Sequence, residues 1–458
     1  MYKACSYDLS MRKNQSHTKK FLSLTLSLIF LACHITARNQ DRNEQPFTFS
    51  QYALKNGLHI ILDEDSSLPL VSVVVAYNVG SINEPPGKAG LAYLMENLMF
   101  MGSANVSPMQ HISMINLVGG RFNATTTEDK TIFQQTVPSN QLSRVLWLES
   151  DRMKYLKITE ANVEQAKRAV IEEIRFRKSA EPYLESFWRF DQLLYPDYAY
   201  SHPVIGNETD LMNLTVEDVK QFYSTYYIPN NAVLSIVGNI EKGETFEEIQ
   251  KYFSTLPRGK KIPPSPIPRQ LEKKAVAETL VNPQVPMPGF HLGYTLTSPN
   301  SVDFYPLKII EYILAQGKTS RLYKKLIKKE RIARHFSGGI EIRKDQARFK
   351  IFVLNNNVTL LQRSKRTVLS EINRLKSRFI SKKELQKAKS MFEIDYLHQY
   401  MTTLDRSLFL AETFLSSKSL NESSDELGKY LQVTAQEIIW TLNRYFGQNN
   451  ISLSILRK

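Results

Sequence analysis

The stretch 257–274, PRGKKIPPSPIPRQLEKK, limits what this chain can fold into more than any other. It holds five prolines and a run of charge. Proline lacks an amide hydrogen and holds its backbone near one extended angle, so the stretch reads as a linker with little capacity to pack. The same pattern starts afresh on each side of it. Before it, strands are predicted at FSQYAL, LHIILDED and LVSVVVAYNVG, and a helix over about 89–100. HISMINLVGG reads as a short helix, GRFNATTTEDKTIFQQTV as a β pair, and helices follow from Leu142 and over about 160–178. Thr215 caps TVEDVKQFYSTYY, and NAVLSIVGNI reads as a buried strand. After the linker come a strand at GFHLGYTL, a helix at about 303–315, SRLYKKLIKK as a helix and ARFKIFVL as a strand. Long helices and a final strand, NISLSILRK, complete the chain. Two halves of matching pattern predict a duplicated unit. The expected class is α+β, with two related domains at 47–256 and 275–458. Each would be an antiparallel-rich sheet with helices on one face. At 458 residues the chain is also long for a single core.

The first residues read as a targeting segment. RKNQSHTKK (12–20) is basic, FLSLTLSLIFLAC (21–33) is apolar, and Ala37 ends a small-residue cleavage site. Residues 1–37 are therefore expected to be a signal peptide, and the protein to be exported to the cell envelope or periplasm. A lipoprotein attached through Cys33 and an uncleaved membrane anchor are the alternatives. Residues 38–458 carry 54 Lys and Arg against 44 Asp and Glu, a net charge of +10. Such a surface suits anionic peptides or envelope surfaces. No basic tract interleaved with aromatics stands out, which argues against nucleic acid. Both cysteines, Cys5 and Cys33, fall in the targeting segment.

GLAYLMENLMFMGS (89–102) carries the chemistry. Tyr93, Glu96 and Asn97 stand at i, i+3 and i+4, on one side of a helix. A carboxylate among apolar neighbours is costly without a partner. Further on, Val163, Ala166, Val170 and Glu173 share one helix face, so Glu173 points inward with the apolar stripe.

These stretches resemble the pitrilysin/insulinase type of zinc metallopeptidase, which includes the mitochondrial processing peptidase. The resemblance runs over roughly 47–458 and rests on several segments in order. They include NGLHIILDE, VGSINEPPGKAGLAYLMENLMFMGS, GGRFNATTTEDKTIF, YYIPNNAVLSIVGNI and GKTSRLYKKLIKKERIA. It implies two domains that face a cavity as half of a clamshell. Members carry H-x-x-E-H on a helix, where two histidines hold Zn²⁺ and the glutamate polarises the attacking water. Here the motif is Tyr93-x-x-Glu96-Asn97, and only the central glutamate remains. The third ligand of the family falls on Glu173. An amide oxygen is a weak zinc ligand, and a tyrosine would have to ionise. The resemblance thus implies a degenerate zinc site and no cofactor, with zinc only if the family activity is retained. Glu96 would be an idle catalytic base, hydrogen-bonded to Tyr93 or Asn97.

Asn123 and Ala124 match the family's substrate-facing edge strand. The Arg and Tyr that many active members supply from the second half fall on Ile327 and Arg334, so that pair is missing. His111 and His202 read as structural. The expected function is a non-catalytic subunit that pairs with a zinc-bearing homologue, or as a homodimer, and helps to enclose peptides. A stand-alone peptide-binding or scaffold protein and an active zinc endopeptidase with unusual ligands are the alternatives.

Overall fold

The computed structural model describes residues 48–264, 275–344, 346–378, 380–418, 420 and 426–457. Residues 1–37, expected to be a signal peptide, with Cys33 among them, and residues 265–274 of the proline-rich stretch lie outside them. Residues 257–264 form neither helix nor strand. The chain divides into two units, residues 1–46 with 421–428, and Phe47–Leu420 with Lys429–Lys458. Only residues 426–428 of the first are described. All that follows concerns the second.

That unit contains two sheets. The first has the order β1 (Phe49–Ala53), β2 (His59–Glu64), β6 (Ala232–Gly238), β3 (Leu70–Tyr77), β5 (Thr131–Pro138), β4 (Arg121–Thr126). The second has the order β7 (Val276–Val281), β11 (Ile451–Leu456), β8 (Gly289–Thr295), β10 (Gln346–Asn355), β9 (Ala333–Arg343). Without β1, the first order maps strand for strand onto the second. β2 and β6 run parallel, as do β11 and β7, and the other named pairs are antiparallel. The duplicated unit predicted from the pattern is present.

Each half stacks its own helices on one face. Val71, Val73, Val75 and Tyr77 of β3 point to a core that Ile115 and Leu211 join and that five further helices share. These are α1 (Leu91–Leu98), α3 (Leu142–Tyr155), α4 (Glu160–Ala180), α8 (Val216–Tyr226) and α9 (Lys242–Phe253). The helix α2 (Gln110–Leu117), the turn α6 (Tyr198–Ser201) and the short α7 (Glu208–Asn213) complete the half. In the second half α10 (Phe304–Leu314), α11 (Leu361–Ser377), α12 (Lys382–His398) and α14 (Ala435–Tyr445) do the same work, and Phe446 meets Tyr294 and Phe349 of the sheet.

The opposite faces are covered by exchange. The helix α13 (Thr403–Ser417) of the second half lies on the first sheet. Its Leu410 and Ala411 meet Ile61, Val74, Val233 and Val237. Ser407 donates to the Ser235 carbonyl at 2.9 Å, and Arg406 pairs with Asp63 at 2.9 Å. Reciprocally, α5 (Leu184–Leu194) of the first half lies on the second sheet, with Phe190 and Leu194 against Leu453. Gly293 makes this approach possible, because a Cβ there would meet Leu194 and Phe190 at 2.7 and 2.9 Å. The central strands are thus buried on both faces, which is why β3 and β6 read as unbroken apolar runs.

Two strands, β7 and β9, escape a reading by alternation. β9 carries HFSGGIEIR, and its pairing comes from β10 rather than from its own apolar pattern. SRLYKKLIKK is not one α-helix. A helical turn, Arg321–Tyr323, gives way to π-helical winding over Lys324–Lys329.

Candidate functional site

The helix α1 begins where the backbone must turn sharply. Gly90 caps it with φ +95°, a region open to glycine and strained for other residues. Glu84, fully buried, accepts from the amides of Gly90 at 2.9 Å and Ala92 at 2.7 Å. A carboxylate suits the positive end of a helix. His202 Nε2 meets the same carboxylate at 3.0 Å, and its Nδ1 meets the Tyr198 carbonyl at 2.6 Å. His202 thus bridges the carboxylate to the α6 turn, and His111 is buried against Gln135 at 3.1 Å. Burial raises the Glu84 carboxyl, and the histidine opposes that shift.

One turn on, α1 faces α4 and β4. The Tyr93 hydroxyl donates to both oxygens of Glu173, at 3.0 and 3.1 Å. Val163, Ala166 and Val170 are buried on the same helix, α4, where Glu173 is half-buried. Asn97 turns its amide nitrogen back to the Tyr93 carbonyl at 3.1 Å, within its own helix. Contrary to the expectation from the sequence, Glu96 bonds neither Tyr93 nor Asn97. It accepts from the Thr126 hydroxyl on β4. The reason is direction: the i+3 position of α1 leans towards the strand, while Tyr93 reaches the neighbouring helix. Burial raises the Glu96 carboxyl above its ordinary range; the Thr126 bond opposes this and the Glu173 charge adds to it. Tyr93 is also raised, first by burial and then by the Glu173 charge.

The raised Glu96 has a consequence for stability. A carboxyl that holds its proton more tightly when folded weakens the folded state once pH rises above the ordinary carboxylate range. Glu96→Gln is therefore expected to raise the urea midpoint at pH 8 and to leave it unchanged near pH 4. An equal midpoint shift at both pH values would contradict this.

β4 is the edge strand of its sheet and pairs with β5 alone, with Asn123 opposite Gln134 and Ala124 opposite Phe133. Asn123 is exposed, and Thr126 at the end of the strand carries the Glu96 contact. A cavity of about 240 Å³ opens beside Tyr93 and Thr126, bounded by Arg177, Trp188 and His202. The structure brings Tyr93, Glu96, Asn97, Glu173 and Thr126 together. Ile327, in the π-helical winding, and Arg334, exposed on β9, form no hydrogen bond or ion pair with them among the described residues. Thr126 and Glu84 were not singled out from the sequence. The i+3 placement of Glu96 relative to Tyr93 was the available signal for a partner away from α4.

Two family models match the chain in order. Residues 59–193 match Insulinase (Peptidase family M16), and residues 213–392 match the Peptidase M16 inactive domain. The chain belongs to peptidase family M16. A relative named zinc protease PqqE, from Helicobacter pylori, is 26% identical over 88% of this chain and 91% of its own length. A solved protease from Helicobacter pylori superposes with a TM-score of 0.83 at 25% identity, covering 90% of this chain and all of the other. An M16 inactive-domain structure from Pseudomonas fluorescens shares the fold, with a TM-score of 0.80 at 16% identity over 89% and 97% of the two chains. The two-domain M16 clamshell architecture expected from the resemblance is the one observed.

The M16 relatives named as zinc proteases make zinc the metal to test. The donor set does not fit it. Both Glu173 oxygens are engaged by one phenol that burial keeps protonated, and Asn97 directs its amide nitrogen into the helix. Zinc sites use neutral imidazole, thiolate and carboxylate. A phenol and an amide in two of three positions leave one carboxylate.

Proposed function

We propose that this M16 chain is a non-catalytic subunit that pairs with a zinc-bearing homologue and helps to enclose peptides. One observation carries the reading. The Tyr93–Glu173 bond between α1 and α4 has a counterpart between α10 and α12 of the other half, where the Tyr312 hydroxyl donates to Asp395 at 2.7 Å. Glu173 and Asp395 each lie fourteen positions after a helix cap, Thr159 and Ser381 respectively. In the first half the metal positions thus serve the same helix-to-helix tie as in the second. With no activated water to serve, Glu96 is an idle base. Ile327 and Arg334 cannot supply the usual Arg and Tyr.

Peptide binding survives this loss, because an edge strand binds an extended chain through its backbone. β4, with Asn123 and Ala124, is the strand for it. We place the domains at 47–256 and 275–458 and the protein in the cell envelope, which the basic and apolar residues of 12–33 support. Cys33 lipidation and an uncleaved anchor remain the alternative attachments.

Elemental analysis tests the reading. The purified chain should hold no zinc. A complex with an H-x-x-E-H homologue should hold about one zinc per pair. Tightly bound zinc in the isolated chain would overturn the proposal and return the protein to enzyme assays. Absence of any complex, with peptides still captured, would make it a stand-alone binder.

A further inference from the structure

The charge of this chain is divided between its halves. Residues 48–256 carry 17 Lys and Arg against 25 Asp and Glu, a net of −8. Residues 275–458 carry 29 against 16, a net of +13. The excess is densest over 318–334, with eight Lys and Arg and one acid.

The fold anchors this segment against α12 as an exposed basic surface. Arg321 grips Glu384 of α12 through two bonds, at 2.8 and 2.7 Å, and Lys387 of α12 donates back to the Thr319 carbonyl at 3.0 Å. The π-helical winding buries Leu326, and Leu322 before it is buried too. Lys318, Lys324, Lys328, Lys329, Arg331 and Arg334 are exposed. None of the six forms an ion pair or side-chain hydrogen bond among the described residues. Lys382 and Lys383, at the start of α12, are exposed beside them. The nearby acids are already engaged: Glu330 with Lys325 at 3.2 Å, and Glu384 with Arg321. Like charges crowd here, and Lys324 adds to the burial that lowers Lys387. Arg331, exposed, sits at φ +53°, in the left-handed region that is uncommon for residues other than glycine.

We propose that this face binds acidic polypeptide, which makes glutamate- and aspartate-rich segments the preferred peptides of the chain. This rests on the peptide-binding reading above and specifies its ligand class. Lipid and nucleic acid fit less well. Of the aliphatic residues of the segment, Leu322, Leu326 and Ile332 are buried and Ile327 is half-buried, so no fully exposed one is offered to a bilayer. Tyr323 is the single aromatic in 318–334, too few to stack bases. Screening confines attraction to about 8–10 Å at ordinary ionic strength, so a short acidic segment gains from the face alone.

Fluorescence anisotropy with the full chain tests this. The probes are a labelled glutamate-rich peptide and its glutamine counterpart. At low salt the acidic peptide should bind about tenfold more tightly, and the advantage should fall as salt rises. K324E/K328E/K329E should remove it. K55E/K157E/K220E, with the same charge change on the first half, should keep it. No preference for the acidic peptide, or equal loss in both triple variants, would overturn the proposal while leaving peptide binding itself intact. Tighter binding to phosphatidylglycerol vesicles or to oligothymidylate, lost in K324E/K328E/K329E, would overturn the choice of polypeptide.

Discussion

Tyr93→His combined with Asn97→His should convert this chain into one that binds about one zinc ion. Positions i and i+4 of α1 face the same side, and Glu173 already lies within hydrogen-bond reach of the side chain at 93. The double change removes the phenol that engages both Glu173 oxygens and supplies two imidazoles beside a free carboxylate. The apo form of the variant should be less stable than the parent, because half-buried Glu173 loses its donor, a loss of about 1 kcal/mol. Zinc should restore it, by about 2.7 kcal/mol when free metal is a hundredfold above the dissociation constant. The check is zinc content after dialysis, together with thermal melting with and without metal. Adding Glu173→Ala should abolish uptake. Unchanged uptake in that triple variant, or none in the double, would show that α1 and α4 do not frame the ligand positions assigned here. Peptidase activity is not expected from the double variant, since Ile327 and Arg334 replace the second-half pair.

Arg343→Ala should be the most destabilising single change at the junction of the two halves, by about 3–5 kcal/mol. The guanidinium is 4% exposed and pairs with Glu128 at 2.9 Å and with Asp191 at 2.9 Å. It also meets Glu341 at 2.7 Å and donates to the Tyr200 carbonyl at 2.7 Å. Glu128 lies within the β4–β5 turn and Asp191 lies on α5, so one side chain ties the first half to β9 of the second. Its ring contact with Tyr195, 4.1 Å from the centroid, fills the remaining side. Removal leaves three acids with Lys350 as their main cation. Burial already raises Glu128, and losing the arginine would raise it further. The sign follows: the penalty is full at neutral pH, where the acids are ionised, and shrinks as pH falls and they protonate. Urea unfolding of Arg343→Ala at pH 8 and pH 5 is the measurement. A loss below about 1 kcal/mol at pH 8 would mean that the acids find other partners or solvent.

The linker prolines, the apolar runs of β3 and β6 and the cap at Thr215 were legible, because local backbone and burial preferences dictate them. So were the two-domain architecture and the family. Other parts depend on contacts between residues far apart in sequence. β9 is a strand because β10 pairs with it, despite two glycines and several charges. The exchange of α5 and α13 leaves no sign in either helix, since an amphipathic pattern says that a face is buried, not against which sheet. At the candidate site, sequence spacing alone placed Tyr93, Glu96 and Asn97 on one helix and turned Glu173 inward. That settles which side chains share a face. Only the tertiary structure decided which oxygen each one meets, Glu173 for Tyr93 and Thr126 for Glu96. A hydrogen bond depends on the angle and separation of two elements, and these follow from packing around the whole core.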